Sequence, residues 1–194
     1  MKFRSTEEIC REFLVNTLGA DRIPHGDRSL YVHLSGTYTL LRDWGNPPDV
    51  CFAGLFHSIY GTARFRTRTL PINKRRKLRN IIGTGAETLA YLFCVTDRPA
   101  GLISQWGKTD IVVVDRYLLD LVVLNRQELL WLLEIEAANL IDQNEGHGGH
   151  LDELAAIPLS AGARHALVSH PKSRRAGLPA FSAACRSISE SSCR

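Results

Sequence analysis

The sequence predicts an all-α bundle carrying one small β-hairpin near residues 111–124. Three observations lead there. Apolar residues recur at three- and four-residue steps through most of the chain, the spacing of one helix face. Helix-start signatures precede several of those stretches: Ser5 with Glu8, Thr84 with Glu87 and Asn125 with Glu128 each place a capping side chain three residues before an acid. Only the short runs at 111–114 and 121–124 are β-branched and aliphatic in the way of strands.

The elements follow in order. Ser5 and Glu8 open a first helix with Ile9, Phe13, Leu14 and Leu18 on its apolar side, stopped by Gly19. Residues 21–28, with Pro24 and Gly26, read as a loop that brings His25 and Asp27 close in sequence to the next helix. That helix spans about 29–44, and Leu30, His33, Leu34, Thr37, Leu40, Leu41 and Trp44 form its stripe. After Gly45, a turn at 46–49 restarts a helix over about 50–60, with Asn46 as cap and Pro47 at the first position. It is apolar nearly all round, which predicts a central, buried element carrying His57. A basic helix over about 74–82 ends at Gly83-Thr84-Gly85, and a further helix holds Leu89, Leu92 and Phe93. Residues 97–110 read as loop, and a leucine-rich helix covers about 126–142. Residues 1–145 are expected to form the helical domain. Residues 146–194 form a C-terminal extension of one or two helices, flexible at 146–149 and frayed in its Ser-rich tail.

Composition narrows the function. With 44% hydrophobic and 23% charged residues, the 194-residue chain can bury an ordinary core. It has no apolar leader and no run near the ~18 residues of a membrane span, so a cytoplasmic protein that does not enter membranes is expected. Five scattered cysteines without a CxxC pair fit reduced thiols rather than a disulfide framework or zinc knuckle. The net charge of +4 is unevenly placed: residues 64–79 hold eight basic residues and no acid, whereas 110–153 hold ten acids against Arg116 and Arg126. That polarity can attract an anion or pair two faces of the same molecule. The basic run lacks an aromatic platform or a base-reading motif, so nucleic acid is not an expected partner.

His33 and His57 are the residues with chemical potential, one on each of two consecutive helices. The segment HLSGTYTLL, a seven-residue connection with Trp44-Gly45, and then DVCFAGLFHSIYGT resemble the opening of an HD-domain protein; LFHSIYGT in particular resembles an uncharacterised HD-like branch. The HD superfamily comprises helical, metal-dependent phosphohydrolases. A first histidine is followed there by a His-Asp pair at the end of a helix, and a last aspartate comes much later. The resemblance covers roughly residues 25–145 and matches His33 and His57 to the two histidines and Asn139 to the last aspartate. It implies an HD-like bundle whose divalent metal (Mn, Fe, Zn or Mg) is held by His33, His57, Ser58 and Asn139, with Glu136 as a replacement carboxylate one turn earlier. Glu87 and Asp27 are remoter candidates. It also implies a phosphorylated small molecule or nucleotide as substrate, with the metal activating water, and Arg64, Arg66 and Arg68 as the phosphate clamp.

The sequence departs from that family at three points. Ser58 stands where the paired aspartate is expected, Asn139 where the last one is, and Gly61-Thr62 where the layout of the guanosine-tetraphosphate hydrolase branch has an acidic pair. Replacing carboxylates by neutral oxygens weakens a divalent site by several kcal/mol. The alternative is therefore an inactive HD-like module for ligand or protein binding, in which the same four side chains form a buried polar network. His147 and His150, on a glycine-rich loop, offer only adventitious metal binding.

Overall fold

The computed structural model describes residues 4–144 and 149–171. They form a mostly helical structure with two small antiparallel sheets. Helix α1 (Thr6–Glu12) starts on the expected capping box of Ser5 and Glu8 and runs on through a π-helical turn, Phe13–Thr17, before Gly19 stops it. The segment expected to be a plain loop folds instead into a two-residue ribbon, β1 (Pro24–His25) against β2 (Arg28–Ser29). This ribbon pins His25 over the start of α2 (Leu30–Asp43), whose cap is Ser29.

Helix α3 (Pro48–Leu55) is central and buried as its composition demands, but it begins at Pro48 and ends five residues earlier than expected. Pro47 is its cap and Pro48 its first residue; the Asn46 side chain reaches across to Glu134 instead. The helix stops at Leu55, so His57 and Ser58 lie in the turn beyond it. Helix α4 (Arg75–Val95) contains the break placed at Gly83, whose φ of 85° belongs to the left-handed region where glycine costs least. The following Glu87 does not act as a capping acid. It is fully buried and receives Arg75, Arg79 and the Tyr60 hydroxyl at 2.6–3.0 Å.

Residues expected to be loop include the short helix α5 (Ala100–Ile103). The hairpin is present as β3 (Ile111–Asp115) and β4 (Asp120–Leu124), in register Val113 opposite Val122. Its turn is irregular, as the poor turn sequence suggests: Leu119 takes a positive φ, and Asp115 accepts from the backbone of Tyr117 and Leu118. Helix α6 (Arg126–Gln143) opens on the Asn125–Glu128 capping box and crosses both α2 and α3. Helices α7 (His150–Ala155) and α8 (Ala161–Ser169) pack on α6, burying Leu151, Leu154, Ala163 and Leu167 in the common core. The Ser-rich tail, His147 and most of the 146–149 break lie outside the described residues. No helix among those described is long and apolar enough to cross a membrane.

Candidate functional site

The site forms where α2, the turn after α3, and α6 meet. His33 projects from α2 and is fully buried; His57 follows the last turn of α3 and is also fully buried; Asn139 lies on α6. Their polar atoms converge, with His33 Nε2 3.0 Å from His57 Nε2 and His57 Nε2 3.1 Å from Asn139 Oδ1. The other ring nitrogens are already committed. His57 Nδ1 donates to the Gly54 carbonyl at 2.7 Å, and His33 Nδ1 donates to the Asp142 carboxylate at 2.6 Å. A neutral imidazole carries one proton. With Nδ1 protonated in each ring, the His57 Nε2 lone pair faces both the His33 Nε2 lone pair and the Asn139 oxygen.

Burial first, then the neighbouring His33, hold the His57 pKa well below the ordinary 6.5, against the raising effect of the Gly54 carbonyl. His57 is thus the neutral ring. Three acceptors facing one another repel unless a positive centre lies among them: a proton on His33 Nε2, or a cation. The proton satisfies the two histidines but leaves Asn139 Oδ1 against a lone pair, unless the amide is turned over.

Glu136, one turn before Asn139 on α6, adds to this picture. It is fully buried; Oε2 accepts from Arg98 Nη1 at 2.8 Å, while Oε1 has no hydrogen-bond partner. A buried carboxylate oxygen left without a donor is costly, and such an atom in a native fold points to an occupant. Glu136, Asn139 and Ser58 line one open cavity of about 480 Å³ with His25, Asp27, Arg28, Thr62, Arg64, Phe65, Arg98 and Gln143. The chemistry of the two imidazoles and the Asn139 oxygen fits a divalent ion, because the 3.0 Å between the Nε2 atoms allows both to reach one centre at bonds of ~2.0–2.1 Å; Glu136 Oε1 offers a carboxylate on the wall of the cavity, which His33 and His57 do not line. Among the described residues no group of three or more His, Cys, Asp and Glu is placed to hold a metal ion, so Glu136 does not stand with the two histidines as a ready-made triad.

The supporting contacts were not legible in the sequence. Asp142 orients His33 and is itself held by Arg28, and the arrangement depends on Gly36, where an added Cβ would overlap Asp142 Oδ1. His25 stacks on His33 with ring centres 4.3 Å apart, and Phe65 meets His25 edge-on at 4.9 Å. Of the arginines expected to clamp phosphate, Arg64 lines the cavity. Arg66 and Arg68 do not; Arg68 lies over the Tyr117 ring, 4.2 Å from its centre. Arg28 and Arg98 occupy the cationic positions in the wall instead. Glu87, a remoter metal candidate, is consumed by its arginines, and Asp27 lines the cavity. A spacing rule for Asp142 was available: it lies one turn beyond Asn139 on α6, as Glu136 lies one turn before.

The model of a family described as a domain of unknown function (DUF6817) matches residues 14–98. No curated protein and no solved structure matches the chain. The matched segment contains His25, Arg28, His33, His57, Ser58, Arg64 and Arg98; the three α6 residues, Glu136, Asn139 and Asp142, lie beyond it.

Proposed function

We propose that the chain is an HD-like protein that binds one divalent metal ion and hydrolyses a phosphoester of a small molecule or nucleotide. The observation that carries this reading is the convergence of His33 Nε2, His57 Nε2 and Asn139 Oδ1, with both Nδ1 atoms engaged elsewhere. His33, His57, Asn139 and Glu136 would hold the ion, and Ser58 lies on the same cavity wall. A bound divalent ion supplies a Lewis acid and lowers the pKa of water for attack on phosphorus. The chain's own residues do the rest. Asp142 and the Gly54 carbonyl fix the two rings in the Nδ1–H tautomer. Arg98 holds Glu136 through Oε2 and leaves Oε1 uncovered. Arg64 supplies positive charge at the exposed wall for the phosphate oxygens, and Phe65 against His25 excludes water from that side. Two neutral side chains, Ser58 and Asn139, replace carboxylates of the HD pattern, and this favours the second reading: a metal-free module in which a proton closes the histidine pair.

Titration calorimetry of chelator-stripped, tag-free protein with Mn²⁺, Zn²⁺ and Mg²⁺ separates the two. The metal reading expects one ion per chain, lost in His33→Ala and His57→Ala. Asn139→Asp should tighten binding about tenfold, equivalent to about 1.4 kcal/mol, because it returns a charge to the ion. No saturable binding in the wild type, with both alanine variants only less stable, would sink the metalloenzyme and leave the module. Where metal binds, a phosphomonoester and nucleotide screen then tests turnover, with Arg64→Ala expected to raise KM more than it lowers kcat.

A further inference from the structure

Helix α6 turns a row of polar side chains to the cavity. Glu136, Asn139 and Gln143 all line it, and at about 1.5 Å per residue the row runs about 10 Å along one helix face. Each side chain is half engaged elsewhere. Glu136 Oε2 accepts from Arg98 Nη1 at 2.8 Å, while Oε1 has no hydrogen-bond partner. Asn139 Oδ1 is turned to His57 Nε2 at 3.1 Å, which leaves its amide nitrogen. Gln143 Nε2 donates to His25 Nε2 at 3.1 Å, which leaves its oxygen. The row therefore offers an acceptor, a donor and an acceptor on successive turns.

Charge decides what kind of group fits. The Glu136 carboxylate is already balanced by the Arg98 guanidinium, and both side chains are buried or nearly so. A ligand ammonium would add a further positive charge beside Arg98 and, on the metal reading, beside the ion. A neutral hydroxyl gives Oε1 its donor without that cost. A hydroxyl oxygen also accepts, so one such group can meet Glu136 and Asn139 together, one turn apart. An ion on Oε1 leaves this open, because a carboxylate oxygen has two lone pairs and the ion takes one. An apolar chain would leave all three side chains unmet.

We propose that the cavity takes a phosphoester of a polyhydroxylated carbon skeleton, a sugar or polyol phosphate. Its hydroxyls lie along the α6 row, and its phosphate lies at Arg64 on the exposed side. The proposal rests on the reading of the cavity as a phosphoester site and specifies the part of the molecule to which the phosphate is attached. Glu136 is then the residue that selects a hydroxylated ligand, because it alone in the row is fully buried with an oxygen that no side chain of the fold serves.

Titration calorimetry of the full chain, in EDTA and again with Mn²⁺, tests the proposal. The probes are ribose 5-phosphate, glucose 6-phosphate and glycerol 3-phosphate, each against the alkyl phosphate of the same carbon number. At least one hydroxylated probe should bind about ten- to a hundredfold tighter than its alkyl partner, the difference that hydrogen bonds to a charged group make. Glu136→Gln should cut that ratio to about threefold or less. Arg98 claims the amide oxygen, and the amide nitrogen then faces the hydroxyl as a second donor. Gln143→Leu, at a partly exposed position, keeps the test open should Glu136→Gln fail to fold, and should lower the ratio several-fold. Arg64→Ala should weaken both members of a pair alike. Equal affinity within every pair, no binding by any probe in either condition, or a ratio indifferent to both Glu136→Gln and Gln143→Leu overturns the proposal. A preference that persists in EDTA, in a chain that binds no metal and turns over no phosphoester, supports it and sinks only the hydrolase.

Discussion

Two buried polar clusters lie on either side of the turn at residues 56–62, and they differ in how completely they are satisfied. Around Glu87, each carboxylate oxygen accepts from an arginine, Oε1 also accepts from Tyr60, and Arg75 stacks 3.6 Å from the centre of the Tyr91 ring. Tyr91 in turn donates to Asp115. Around His57, acceptors face acceptors and Glu136 Oε1 has no donor. The first arrangement is complete without a ligand and fastens the two halves of α4 across the Gly83 kink. The second leaves Glu136 Oε1 without a donor, and on the proposed reading a positive centre completes it. Buried charge alone therefore does not mark a site; an unmet valence does.

The largest expected effect falls on the complete cluster. Glu87→Ala strands Arg75 and Arg79 beside a buried tyrosine and should cost about 3–5 kcal/mol in urea unfolding, the usual price of breaking a buried pair. A loss below about 1 kcal/mol would show that the cluster is not the fastening it is drawn as.

Gly36→Ala comes next. Its methyl group would collide with Asp142, so the ion pair to Arg28 and the hydrogen bond to His33 must shift, at about 1–3 kcal/mol. If the site needs Asp142, metal affinity should fall about 10–100-fold as well, the usual effect of removing an outer partner of a ligating histidine. Destabilisation with unchanged affinity would make Asp142 purely structural.

Acid separates the clusters by pH window. His57 has a folded pKa below its unfolded 6.5, so the unfolded chain takes up its proton first. Metal-free protein should lose up to about 1.4 kcal/mol per pH unit as pH falls below 6.5, a slope that His57→Gln should flatten. At Glu87, burial raises the pKa, but the hydrogen bonds of Arg75, Arg79 and Tyr60 outweigh it and the net shift is downward from 4.5. Its contribution is present above pH 4.5 and is lost only as pH falls through the lower folded value. A pH profile flat from 6.5 to 4.5 would contradict the neutral, buried His57.

Much of this molecule was determined by local sequence. The capping pairs at Ser5 and Asn125, the stop at Gly19, the break at Gly83 and the helical stripe through His33 all depend on neighbours within one or two turns, where propensity and periodicity act directly. The two short aliphatic runs were enough to place the hairpin, even with an unfavourable turn between them. Resemblance to an HD pattern led to the expectation that His33, His57, Ser58, Asn139 and Glu136 share a metal site; the structure brings His33, His57 and Asn139 within 3.0–3.1 Å and places Ser58, Asn139 and Glu136 on one cavity wall.

Tertiary structure alone decided the remainder. The end of α3 at Leu55 is set by the Gly54 carbonyl taking His57 Nδ1 and by the turn that packs Ile59 and Tyr60 into the core. Glu87 gave up its capping role because arginines on the preceding turns reach it across the kink. Asp142 joined His33 across 109 positions, through a gap that only Gly36 leaves open, and Arg28 and Arg98 displaced Arg66 and Arg68 from the cavity wall. A helix can be read from its own residues because its bonds are local. Which carboxylate meets which cation depends on how helices cross, and those crossings are settled by burial summed over the whole core.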